Sequence, residues 1–166
     1  MHDFEQIYTD YFAQVYRYAR SLTMDEQAAE DITAETFLRA MRSLSSFRGE
    51  CEIRVWLCRI AKNLWLTEQK KRARMTDAPP DEAMAELTDG EDFTAALDDR
   101  QTAHQIHRAL HRLDEPYREV FSLRVFGELA FADIGALFGH NAHWACVTYH
   151  RARAKIQDQL KEMGVM

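Results

Sequence analysis

Apolar positions recur along this chain at the 3.6-residue spacing of an amphipathic helix, and no stretch alternates with the two-residue period of a half-buried strand. Three stripes come first: Phe4, Ile7, Tyr8, Tyr11, Phe12, Val15, Ala19 and Leu22; then Ala29, Ile32, Thr33, Thr36, Phe37, Ala40, Met41 and Leu44; then Ile53, Trp56, Leu57, Ile60, Ala61 and Leu64. Breaks fall at Leu22 to Asp25 and at Phe47 to Glu50, where Gly49 ends an element. Three stripes of this kind can close a small helical core. A second series, Ala103, Ile106, His107, Leu110, Leu113, Tyr117, Val120, Phe121 and Phe126, predicts further helices, with Asp114 as N-cap and Pro116 in the first turn.

The C-terminal end carries the sharpest local pattern. Phe131, Ile134, Leu137 and Phe138 keep helical spacing, Gly139 then supplies a residue able to leave the helix at positive φ, and a longer basic segment follows. In that segment Ala145, Tyr149, Ala152 and Ile156 form a narrow stripe for packing, while His143, Val147, His150 and Arg151 lie on the free side. This order predicts a helix-turn-helix whose second helix enters a DNA major groove. An ordinary helical hairpin with a solvated basic face is the alternative that these residues leave open.

Charge divides the chain further. Overall it carries 21 basic and 27 acidic side chains, a formal −6, which by itself argues against nucleic acid. Residues 49–75, however, hold 7 basic against 3 acidic (+4), residues 76–103 hold 1 against 9 (−8), and residues 140–166 hold 4 against 2 (+2). Two basic islands therefore flank an acidic middle, so DNA contact can be confined to two places. Pro79, Pro80 and Gly90 lie in that middle, which lacks an amphipathic stripe and is predicted to be a linker. On the third stripe the polar side shows Arg59, Lys62 and Asn63, followed by Lys70, Lys71, Arg72 and Arg74; with Trp56 and Trp65 nearby, this composition suits single-stranded nucleic acid. Trp56 itself falls on the apolar stripe and is expected in the core.

Other classes find little support. No apolar run reaches the roughly 20 residues of a bilayer span, and the N-terminus lacks the basic-then-apolar order of a signal peptide, so a cytoplasmic protein without membrane insertion is expected. Cys51, Cys58 and Cys146 form no CxxC pair and are read as free thiols. No phosphate-binding glycine loop, nucleophile elbow or HExxH motif is present, so no enzyme, no catalytic residue and no cofactor is expected. His140, His143, Cys146 and His150, and separately His104, His107 and His111, have spacings that place ligands on one helical face. Successive turns rise about 5.4 Å, so one helix normally offers one ion only two of them, and no metal site is predicted. A thiol switch at Cys146 is a further low-cost idea from its basic surroundings.

Taken together, these residues resemble the extracytoplasmic-function (ECF) sigma factors of the sigma-70 family over almost the whole length. The stretch from Ala29 to Ala40 is similar to the family's region-two helix; Phe47-Arg48-Gly49-Glu50, then Trp56 to Asn63, is similar to its minus-ten segment; His150-Arg151-Ala152-Arg153 closes a helix-turn-helix. The resemblance implies an all-α fold: a region-two-like domain over 1–75, an acidic linker over 76–95 and a region-four-like helix-turn-helix domain over 96–166. It implies an RNA polymerase sigma factor that binds core polymerase and directs promoter recognition, melting and initiation. Asp31, Glu35, Leu38 and Arg39 would meet the beta-prime clamp helices, with the beta subunit as a further contact. Phe47, Arg48, Gly49, Glu50, Arg59, Lys62 and Asn63 would meet the minus-ten element, and the loop from Gly49 to Glu52 would line a pocket for an extruded base. His143, Val147, His150 and Arg151 would meet the minus-thirty-five element. An anti-sigma factor would be an inhibitory partner, and the linker would thread toward the RNA path.

Departures from the family pattern are Ala34 for a usual glutamine, Thr67 for a frequent aspartate, Ala130 for a capping serine or threonine, and His143 and Cys146 in the reading helix. The rival class is a stand-alone helix-turn-helix regulator, which would bind duplex without polymerase.

Overall fold

The computed structural model describes residues 3–49, 51–75 and 97–164. All regular structure among them is helical, and the chain divides into two compact units, Met1–Asp89 and Gly90–Met166. The predicted linker, 76–95, lies outside the described residues.

In the first unit α1 (Phe4–Thr23), α2 (Glu26–Ser43) and α3 (Ile53–Met75) each pack on the other two. Helix α1 stops because Met24 turns to φ 54°, with its N–H bonded to the Arg20 carbonyl; Asp25 then accepts a hydrogen bond from the Ala28 N–H at 2.9 Å and starts α2. Ala19, Ala29 and Ala61 are completely buried, one from each helix, so the helices approach closely around small residues. Tyr18, Val15 and Leu57 fill the remaining space. Thr33 and Thr36 are buried too, and their hydroxyls donate to the carbonyls of Ala29 and Ile32 at 2.7 Å each. Two polar groups thus enter the core without an unmet hydrogen bond.

Three details differ from the sequence pattern. Tyr8 and Phe12 are 44% and 37% exposed although both sit on the predicted core stripe. The row Phe4, Tyr8, Phe12 advances by four residues per step and winds off the packing face, so its rings cover Phe37 instead, with Tyr8 and Phe12 centroids 5.1 and 5.9 Å from it. Met41, one turn after Phe37, is exposed. Helix α2 also ends well before Gly49, through a 3-10 turn at Leu44–Ser46, and Gly49 at φ 74° belongs to the loop beyond.

The second unit contains α4 (Leu97–His111), α5 (Tyr117–Val125), α6 (Phe131–Leu137) and α7 (Ala142–Glu162). Helix α7 packs on each of the other three. Its Ala152, Ile156 and Leu160 join Ala109, Leu110, Leu113 and Phe121 in one core, flanked by Ile106, Tyr117, Phe126 and Tyr149. Ala103, predicted in the stripe, is exposed. The start of α5 also corrects the sequence reading: Pro116 is the N-cap, and the side chain that reaches a free helix N–H is Glu115, whose Oε1 accepts from Glu119 at 2.9 Å. Asp114 contributes only its backbone carbonyl, to Arg118, because it stands one residue too far back for its carboxylate to serve the first turn.

Candidate nucleic-acid interface

The helix-turn-helix is built around two glycines. At the end of α6 the His140 N–H bonds to the Gly135 carbonyl at 2.8 Å and the Gly139 N–H to the Ala136 carbonyl at 3.2 Å, with Gly139 at φ 75°. This is a Schellman closure, which needs a residue tolerant of the left-handed region at Gly139. Gly135 answers a different constraint, since a Cβ there would run into the backbone carbonyl of Asn141. Asn141 in turn caps α7, its Oδ1 accepting from the Trp144 N–H at 2.8 Å. On the other flank Arg124 donates to the Leu129 carbonyl at 3.0 Å and lies 4.0 Å from the centre of the Phe131 ring, tying α5 to the start of α6. Ala130, the N-cap of α6, offers no side-chain cap.

These restraints set the two faces of α7. Ala145, Thr148, Ala152 and Ile156 are buried, while His143, His150 and Arg151 are exposed and Val147 and Cys146 half-buried. The four residues predicted to meet duplex DNA therefore share one free face, as their spacing required. The two histidine rows fare differently. His140 stacks on Trp144 at 4.1 Å with the rings 12° apart, and His107, which falls on the apolar series, is buried and stacks on Phe126 at 5.1 Å. Among the described residues no three His, Cys, Asp or Glu side chains are grouped to hold a metal ion.

In the first unit a cavity of about 390 Å³ is lined by Ser43, Ser46, Phe47, Arg48, Cys51, Trp56 and Arg59. Phe47 and Trp56 stack on each other in its wall, with centroids 4.6 Å apart and planes 29° apart. Trp56 is thus a half-buried pocket wall, not the core residue that its place on the stripe suggested; the buried side of α3 runs through Val55, Leu57, Cys58 and Ala61. Of the residues predicted for the minus-ten element, Phe47, Arg48 and Arg59 come together here. Gly49 and Asn63 stand outside the lining, exposed, and Lys62 lies with its Nζ 5.0 Å from the centre of the Trp65 ring. Glu50 lies outside the described residues. No described lining residue is acidic, so the pocket offers two flat rings, two guanidinium groups and hydroxyls, a set suited to a stacked base with its phosphate. Cys51 belongs to the loop from Gly49 to Glu52 that the resemblance assigned to a pocket, whereas Ser43 and Ser46 were not legible as site residues, because they come from a helix end where periodicity carries no information.

On α2, Asp31, Glu35 and Arg39 form one ridge. Arg39 donates to Glu35 at 3.2 Å, Gln27 donates to Asp31 at 3.1 Å, and Leu38 is exposed beside them. Asp31 and Glu35 also line a groove of about 470 Å³ between α2 and α3, with Ile32, Leu64 and Trp65 as its apolar part. The ridge therefore presents carboxylates next to an apolar patch.

Residues 7–75 match the family Sigma-70 region 2. The chain is 26% identical over 160 residues to RNA polymerase sigma factor YlaC of Bacillus subtilis, covering 94% of this chain and 91% of that one. It is 26% identical to the ECF RNA polymerase sigma factor SigM of the same organism, covering 92% of both. Among solved structures, the sigma factor RpoE of Bartonella quintana, in complex with the anti-sigma factor NepR, shares the fold with a TM-score of 0.73 at 22% identity, covering 97% of this chain and 98% of that one. The first unit thus carries a match to Sigma-70 region 2, and the chain is similar to RNA polymerase sigma factors, ECF members among them, along nearly its whole length.

Proposed function

We propose that this protein is an RNA polymerase sigma factor that binds core polymerase, recognises a promoter through two elements, opens the duplex and so directs initiation, with no bond chemistry of its own. The observation that carries this reading is the pocket beside the stacked rings of Phe47 and Trp56. An aromatic wall beside Arg48 and Arg59 suits an unpaired base, and a protein that only reads duplex has no use for one. Its function would be to offset the few kcal/mol of stacking lost when a base leaves the duplex.

Residues 1–75 act as the region-two domain, 76–95 as an acidic linker and 96–166 as the region-four domain. Asp31, Glu35, Leu38 and Arg39 dock the clamp helices of the beta-prime subunit, and the beta subunit adds contacts. Phe47, Arg48, Gly49, Glu50, Arg59, Lys62 and Asn63 engage the minus-ten element, while His143, Val147, His150 and Arg151 engage the minus-thirty-five element. Because one solved structure of similar fold is a sigma factor in complex with an anti-sigma factor, such a protein is the proposed inhibitory partner here. Its place of action is the cytoplasm, where the polymerase works; among the described residues no helix is long and apolar enough to cross a membrane.

The test is run-off transcription from a library of promoter fragments with purified core polymerase, with and without the protein. Discrete start sites that depend on it are expected. Binding to duplex without core, and no directed start, would instead establish a stand-alone regulator.

A further inference from the structure

The N-terminal half of a recognition helix normally reads bases with Arg, Lys, Asn or Gln, whose donors and acceptors match guanine and adenine edges. From Ala142 to His150, α7 carries none of these four residue types. The two-pronged contacts of arginine with guanine and of asparagine with adenine are therefore closed to this half of the helix.

What the helix does present there is a small apolar spot. Val147 and Cys146 are half-buried on the free side, between the exposed His143 one turn before and His150 one turn after, while Ala145 and Thr148 are buried against the unit. Trp144 is already engaged, its ring 4.1 Å from His140 and 5.4 Å from Phe138, and does not compete for that spot. Val147 is branched at Cβ and stiff at χ1, so holding it against a flat partner costs little side-chain entropy. In the major groove the apolar group that a base pair presents is the 5-methyl of thymine.

We propose, on the sigma reading above, that Val147, with Cys146 beside it, is a specificity residue that selects thymine in the upstream promoter element by apolar contact with its 5-methyl group. The imidazoles of His143 and His150 flank the contact and take hydrogen bonds or phosphates on either side. Arg151 holds the backbone and contributes no preference of its own.

The test replaces thymine by deoxyuridine, one position at a time on both strands of the mapped upstream element, which deletes the methyl group and leaves the pairing edge intact. Protein-dependent initiation by core polymerase is then measured with the natural chain and with Val147→Ser, which removes both methyl groups and leaves only a small polar side chain. With the natural chain, at least one thymine is expected to lose about four-fold on becoming uracil, the worth of one buried methyl-sized group. With Val147→Ser, initiation from the thymine template should fall to that same level and no longer respond to the replacement. A mapped element that tolerates uracil everywhere, yet fails when its base pairs are exchanged, overturns this proposal alone. Absence of any protein-dependent start overturns the sigma reading and the proposal together.

Discussion

At the residue scale two positions in the helix-turn-helix pull against simple propensity. Gly135 stands inside α6, where alanine would ordinarily favour the helix by up to about 1 kcal/mol. Its missing Cβ is nevertheless what lets the turn close, since the group it would strike is the Asn141 backbone carbonyl, fixed by the Schellman bonds on one side and the α7 cap on the other. Steric cost wins: Gly135→Ala should lower stability by about 1–3 kcal/mol, the usual range for overpacking. Thermal unfolding would show a lower midpoint, and an unchanged or raised one would contradict the close approach. Ala130 is the converse case, an N-cap in extended geometry with nothing to accept from the first turn. Ala130→Ser should stabilise by about 1 kcal/mol, seen as a rise in the denaturation midpoint without a change in slope. A fall would mean that the new hydroxyl does not reach the helix N–H groups.

At the element scale the proposed reading gives α2 and α3 of the first unit different tasks. The Glu35 and Arg39 pair on α2 is exposed at 40% and 57%, so its loss should cost only about 0.3–0.5 kcal/mol of stability. Glu35→Ala with Arg39→Ala is therefore expected to fold normally and to weaken binding to core polymerase. Arg59→Ala with Lys62→Ala, on α3, should spare core binding and impair promoter opening, read by reactivity of unpaired thymines to permanganate. Equal loss of core binding in both pairs would refute the division. Helices of this length were legible because their apolar residues recur over many turns, and the cap at Asp25 and the left-handed Gly139 stand where residue chemistry points. Which side of each stripe is buried was less legible. Tyr8, Phe12 and Trp56 lie at the edge of their stripes, where a few tens of degrees of helix rotation decide between core and rim, and only the neighbouring helix sets that rotation. The pocket around Phe47 could not be assembled from spacing, because its walls come from a helix end, a loop and the start of the next helix.

At the scale of the whole molecule, a protein of net charge −6 is proposed to meet a polyanion through two local basic surfaces. Few phosphate contacts follow, and each should be visible in salt dependence. Arg151→Ala is expected to flatten the slope of log affinity against log salt for the polymerase-bound complex by about one unit. An unchanged slope would remove Arg151 from the backbone contacts. Duplex binding by the protein alone should be much weaker than binding by the complex with core polymerase, as a gel-shift titration at fixed salt would show. Tight binding without core would favour the stand-alone regulator.

The two sides of α7 are chemically independent. Ala145, Thr148, Ala152 and Ile156 hold the unit together, whereas His143, Cys146, Val147 and His150 add little to its core. Inherited variation on the outer side is thus sheltered from selection for folding, and duplicated copies of such a gene can diverge in which genes they switch on while the scaffold is passed down unchanged.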